Sequence, residues 1–437
     1  MEPVFIGLLG VFILLILVII GMQVWVALSL VSFVGIYFIR GDISLVYSTV
    51  RGLPYHELSS YGLAVIPLFI LMGNLVHHFG YSKELFQTAQ RHLSSLRGGL
   101  VMSVVAGSAI FAATSGSGMA SSAVMGKVAL PQMLDAGYDR SLSAGSIAAS
   151  GTLASLIPPS AHLIIFGYIV YADIGQLFMA AVIPGILSAL IYFLYVYLWT
   201  LKNPEGIPPA KPVKKGSIWY ELKLMANSWV IVALVIIILG GIYFGIFTPN
   251  EAGAAGALAV VFLGIITRKA SLIKIIDSIF DTVKTTGAIF IIYLGSMFFV
   301  RFLTHSRLPY VFTDWLLALP IPEIGTLLCI LLVYFVLGMF IPPLALIMIV
   351  TPVVFPTVEV LGFHPFYFGI LIIKIVEMGM ITPPVGINCF ILGGIMPKEV
   401  PLEAVFRGSA RFLVVDLITL IILIAFPILS LYLPGMM

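Results

Sequence analysis

LIPPS at residues 156–160 and ITPPVG at 381–386 each set two consecutive prolines inside a long apolar run. Proline lacks a backbone N–H and its ring clashes with the carbonyl four residues back, so a pair inside a helix breaks it. The surroundings repeat too: Pro131, Gly137, Pro158 and Pro159 recur as Pro356, Gly362, Pro383 and Pro384, each 225 positions later. Interruptions of apolar helices at matching places in two halves point to the binding site of a secondary transporter. Each copy follows an apolar region, 99–136 or 324–362, that is itself interrupted by Gly-rich or Pro-rich sequence. These regions are too short for two full spans and a loop, but long enough for a helical hairpin that enters the membrane and returns. Non-helical backbone at that depth requires protein or a wet cavity around it.

The rest of the chain agrees. Of its 437 residues 61% are hydrophobic and 9% charged, against roughly 45–50% and about 25% in soluble domains. The apolar runs are continuous and not alternating, which excludes a membrane barrel. The expected spans are 4–20, 24–39, 62–79, 140–171, 175–200, 228–248, 251–267, 285–303, 365–396 and 409–432. The N-terminus has no basic segment or cleavage site of a secretory signal and reads as a retained first span. Cys329 and Cys389 give neither a disulfide framework nor metal-ligand spacing. No phosphate-cradling Gly-rich loop occurs, so this chain does not hydrolyse ATP itself. A net charge of +3 suggests no nucleic-acid partner. The seven histidines are scattered, with no ligand cluster or nucleophile–base arrangement, which argues against an enzyme.

Charge placement sets the topology. With the N-terminus outside and five crossings per half, only Arg40, Arg51, Arg301 and Arg307 fall outside, and Lys127 and Lys374 lie within apolar segments. The remaining basic residues face the cytoplasm, as the positive-inside rule requires. The fold class is therefore an all-α polytopic membrane protein of two inverted repeats, each with one re-entrant hairpin. The first repeat covers 1–200, with scaffold spans in 1–60 and 175–200 and a transport part at about 98–171. A cytoplasmic linker at 201–223 leads to the second repeat, 224–437, with hairpin 324–362 and broken helix 365–396. Segments 42–60, 82–97 and 269–284 mix polar and apolar residues as interfacial amphipathic helices do. They are either ordinary loop helices or arms that cradle a moving domain.

Six stretches carry a family resemblance: IPLFILMGNL (66–75), RGGLVMSVVAGSAIFAATSGSG (97–118), LIPPS (156–160), IGQLFMAAVIPGIL (174–187), TPNEAGAAGAL (248–258) and GMITPPVGIN (379–388). Together they resemble the large membrane subunit of tripartite ATP-independent periplasmic (TRAP) transporters, from about residue 60 to residue 400. The resemblance implies a sodium-coupled importer of organic acid anions in the bacterial inner membrane, working by an elevator-type movement. It also implies a four-helix small membrane subunit and a periplasmic substrate-binding protein as partners, and no organic cofactor. The sequence departs from the family at GMFIPPLAL (338–346), where an acidic residue is common, and at Lys127, where a small residue is usual. Both changes make the region less negative, which is compatible with a dicarboxylate.

Sodium takes oxygen ligands, and broken helices supply free carbonyls. The first candidate site joins Ser115, Gly116, Ser117 and Gly118 at the hairpin tip to Gly151, Thr152, Ser155 and Pro158. The second joins Gly338 and Met339 to Gly379, Thr382 and Pro383. The resemblance places sodium at such tips and unwound helices, though small residues there also permit close helix packing. For an anionic substrate, Ser160 and Asn388 are candidate donors and Arg301 a candidate partner, or a plain interface anchor. Lys127 either contacts the anion or forms an interior ion pair. Asn74 is an oxygen ligand or a helix–helix hydrogen bond. Lys374 and Glu377, three apart on one helix face, are expected to pair with each other. Asp416 reads as a packing group, and Glu251 as the partner of Thr248 in a capping box. The alternative is a stand-alone proton- or sodium-coupled carboxylate carrier of related inverted-repeat fold. A proton-driven mechanism calls for a titratable carboxylate in the site, and the candidate loops hold none.

Overall fold

The computed structural model describes residues 2–93, 96–202 and 232–437, without the side chains of 112–115. The described residues are helical throughout, with no strand. In chain order the helices of the first half are α1 (Pro3–Ile19), α2 (Val24–Arg40), α3 (Ile43–Leu58), α4 (Val65–His78), α5 (Tyr81–Leu93), α6 (Gly99–Ser115), α7 (Gly118–Asp135), α8 (Arg140–Leu156), α9 (Ala161–Ile169) and α10 (Ile174–Lys202). The expected linker lies, from residue 203 onward, outside the described residues. There follow α11 (Val232–Tyr243), α12 (Pro249–Ile266), α13 (Leu272–Ser306), α14 (Leu308–Leu317), α15 (Glu323–Gly338), α16 (Pro343–Val360), α17 (Pro365–Gly379), α18 (Ile387–Gly393), α19 (Leu402–Ala425) and α20 (Ile428–Leu431).

Both interrupted regions are helical hairpins, α6–α7 and α15–α16, and both proline pairs separate a longer helix from a shorter one, α8 from α9 and α17 from α18. Local chemistry fixes these ends. Ser117 caps α7 by accepting from Ala120 N, and the Asp139 carboxylate caps α8 by accepting from Leu142 N at 2.8 Å. Such caps satisfy N–H groups that have no partner inside the helix. Thr248 and Glu251 form the expected capping box at the start of α12.

Among the described residues six helices are long and apolar enough to cross a membrane, or seven if the bent pair α8–α9 counts as one span. Ten spans were expected. The difference lies in length: α1 and α2 have 17 residues each, α17 and α18 have 15 and 7, and part of 228–248 lies outside the described residues. One correction concerns 269–284 and 285–303, which form one 35-residue helix, α13. No proline interrupts it, and at 1.5 Å per residue it is about 52 Å long, well beyond a hydrocarbon core of about 30 Å. The Asn74 amide donates to Thr282 Oγ1 at 3.0 Å and His78 Nε2 meets Asp281 Oδ2 at 2.8 Å, holding α4 along it. Asn74 thus makes the helix–helix bond.

At the centre, α8 and α17 are buried along nearly their whole length. Helix α8 is built from Ser, Ala and Gly (SLSAGSIAASGTLASL, 141–156), so its neighbours approach to backbone distance. A Cβ placed on Gly145 would lie 2.5 Å from the Gly408 Cα on α19. One apolar core therefore unites α6–α8 with α18 and α19, joining sequence from both halves.

Candidate functional site

The first break is held by its own polar groups. The Ser160 hydroxyl donates to Ser155 O at 2.6 Å and accepts from His162 N at 3.2 Å, capping α9 as it leaves the bend. The tip of the first hairpin lies against this break. A Cβ on Gly116 would stand 3.0 Å from Pro159 O and 3.2 Å from Ala161 N; one on Gly118 would stand 3.2 Å from Gly151 O. Both approaches are tight, and Gly116 also has a φ of 58°, in the left-handed region that favours glycine. The tip residues Gly116, Ser117 and Gly118 and the break residues Gly151 and Ser155 are therefore together. Thr152 turns elsewhere: its hydroxyl donates to Ala149 O and faces the Tyr192 hydroxyl at 3.5 Å. Pro158 is buried within the bend. The Ser115 side chain lies outside the described residues.

The second break has the same partner relation. A Cβ on Gly379 would lie 2.7 Å from Gly338 O, so the end of α15 and the end of α17 touch through backbone. Thr382 Oγ1 donates to Met378 O at 2.7 Å, Met339 is half-buried, and Pro383 is exposed, unlike its counterpart Pro158. Asn388 N closes the turn onto Met380 O at 3.1 Å.

Both hairpin tips open on one cavity of about 560 Å³. Gly116–Ala120 form one wall and Pro342–Ala345 another, while α4 and α13 contribute Asn74, His77 and Thr285. Among the described residues no lysine or arginine lines it, and the single carboxylate is that of Glu377. Of the four residues expected at an anion, none lines this cavity. Ser160 is used by its own cap, and the Asn388 amide donates to Ala148 O at 3.2 Å. Arg301 is on an exposed face of α13, and Lys127 is exposed. No ion pair of Lys127 is found among the described residues: its side chain is exposed and lies near His77.

The pairing expected between Lys374 and Glu377 is also corrected. Lys374 Nζ binds Asp416 Oδ1 on α19, and the Tyr192 hydroxyl donates to the same carboxylate at 2.8 Å. Asp416 is thus half of a buried ion pair. Glu377 is left 3% exposed, with the Ser155 hydroxyl facing its carboxylate. Its Oε2 would stand 3.1 Å from a Cβ on Gly118, and its Oε1 is 3.9 Å from His162 Nε2, too far for a hydrogen bond. The loops hold no carboxylate, as expected, but α17 delivers one to the first hairpin tip from the other half. The available signal was an acid within an apolar run, which marks a functional position by default.

A family model described as "Tripartite ATP-independent periplasmic transporter, DctM component" matches residues 11–429. The C4-dicarboxylate TRAP transporter large permease protein DctM of Pseudomonas aeruginosa is 33% identical over 86% of this chain and 86% of its own length. The ectoine TRAP transporter large permease protein TeaC of Halomonas elongata is 30% identical over 95% of this chain and 96% of its own. Among solved structures, the Alcanivorax borkumensis YdaH transporter superposes with a TM-score of 0.63 over 89% of both chains, at 14% identity, a likeness of fold.

Proposed function

The chain belongs to the DctM component family of tripartite ATP-independent periplasmic (TRAP) transporters, and on that footing we propose that it imports an organic acid anion, a carboxylate or dicarboxylate, by sodium-coupled secondary transport. As a TRAP large permease it is a multi-pass inner-membrane subunit and not an enzyme, and it works with a small membrane subunit and a periplasmic binding protein. In this reading the small subunit has four helices, and the binding protein delivers the anion to the cavity between the two hairpin tips. Sodium sits at the tips and breaks: Gly116, Ser117, Gly118, Gly151 and Ser155 in the first half, Gly338, Gly379 and Thr382 in the second. The moving part carries hairpins and broken helices together, as in an elevator.

The observation that supports this most is the meeting of two hairpins and two breaks around one cavity. Each entering Na⁺ contributes about 2.3 kcal/mol per 100 mV of membrane potential. The test is uptake by proteoliposomes containing both membrane subunits and the binding protein, with a panel of carboxylates. Uptake that is equally fast with K⁺ replacing Na⁺ rejects the reading. The alternative, a stand-alone proton- or sodium-coupled carrier, gains from one finding, the buried Glu377 carboxylate beside the cavity. Transport without the binding protein would favour it.

A further inference from the structure

We propose that Glu377 is the anionic ligand of the coupling cation, delivered from the second half of the chain to a nest of oxygens in the first. This deepens the sodium reading above and rests on it. The nest is formed where α7 begins and α8 nears its break. Its groups are Gly118 O, Gly151 O, Ser122 Oγ, Ser155 Oγ and Glu377 Oε2, all gathered around the contact of Gly118 with Gly151. Ser122 and Ser155 are fully buried; the Ser122 hydroxyl has no hydrogen-bond partner among the described residues, and the Ser155 hydroxyl faces the Glu377 carboxylate. Buried polar groups are ordinarily paired, so this convergence of oxygens, with the Ser122 hydroxyl unpaired among them, describes a site for a ligand that accepts lone pairs. A hard cation fits that description; the His162 Nε2 nitrogen is 3.9 Å from Glu377 Oε1.

The charge account points the same way. Lys374 makes its direct ion pair with Asp416, so the Glu377 carboxylate feels that charge only from a distance. In its charged form Glu377, in a cavity wall where no described lysine or arginine lies, repels an incoming organic anion. A sodium ion in the nest neutralises it. Sodium therefore binds first, and the anion enters a wall that no longer repels it. The same ion ties α17 to the first hairpin, so its occupancy is felt by both halves.

The experiment uses the large permease purified with its small subunit. Thermal unfolding and equilibrium binding of radioactive Na⁺ are followed against NaCl, with choline chloride keeping ionic strength constant. The wild type is expected to be stabilised by Na⁺ and to bind it saturably. Glu377→Gln raises the half-saturating Na⁺ concentration about tenfold or more, the scale of losing a bond to a charged group. Glu377→Asp keeps part of the response. Ser122→Ala, which removes one neutral ligand, shifts it several-fold and serves if Glu377→Gln does not fold. Unchanged Na⁺ binding in Glu377→Gln, or in Ser122→Ala and Ser155→Ala together, overturns the assignment while leaving sodium coupling intact. A wild type that does not respond to Na⁺ at all overturns both.

Discussion

The two broken helices share a skeleton and differ in almost everything attached to it. Helix α8 carries Ser, Ala and Gly and no charge between Ser141 and Leu156; α17 carries bulky aliphatics with Lys374 and Glu377 among them. The prolines of the first break are buried, whereas Pro383 and Pro384 are exposed. Small residues let the first half bring bare oxygens together at backbone distance, at the cost of supplying no charge. The second half supplies the charge and anchors it from behind. Repetition thus provides the geometry, and divergence between the copies provides the electrostatics.

That contrast can be broken most severely at Lys374. In Lys374→Ala the buried Asp416 loses its cation, and loss of one member of a buried pair costs about 3–5 kcal/mol. Thermal unfolding of the purified complex should fall sharply, and adding Asp416→Asn should recover part of the loss. Gly379→Ala comes next. Its methyl would meet the Gly338 carbonyl carbon at 2.5 Å, a backbone obstacle that cannot rotate away, and overpacking of this kind costs about 1–3 kcal/mol. Uptake should drop because the second hairpin is pushed off its break. Gly118→Ala, whose contacts are 3.1 Å or longer, should be milder in the same assay. Ser160→Ala removes the α9 cap and should cost about 1 kcal/mol by unfolding, with Na⁺ affinity little changed. The smallest effect belongs to Lys127→Ser. The side chain is exposed and outside the cavity, so stability should move by less than about 0.5 kcal/mol and diacid uptake should be unchanged. A large loss of uptake there would return Lys127 to the substrate.

What was legible in the sequence was the part governed by local backbone chemistry. Proline pairs, glycine tips and caps act on their own few residues, so the hairpins, the breaks and the Thr248–Glu251 box could be read directly. Partners were harder to read. Lys374 and Glu377 do share a helix, but which acid a lysine reaches depends on what packs against that face, and here α19 brings Asp416 closer. Glu377 escaped notice as a site residue because its role depends on an approach between α17 and the α6–α7 tip, far apart in sequence. For Arg301 the sequence left two readings open, and the structure places it on the exposed side of a turn whose Phe302 and Leu303 are buried.

The crossing of α8 and α19 at Gly145 and Gly408 has a mechanical consequence. Helices that meet through bulky side chains can slide by letting those side chains flip between rotamers. Here there is nothing to flip, only two main chains in contact. Whatever path the molecule follows between its two openings, these two rods travel as a single beam, and any hinge must lie elsewhere.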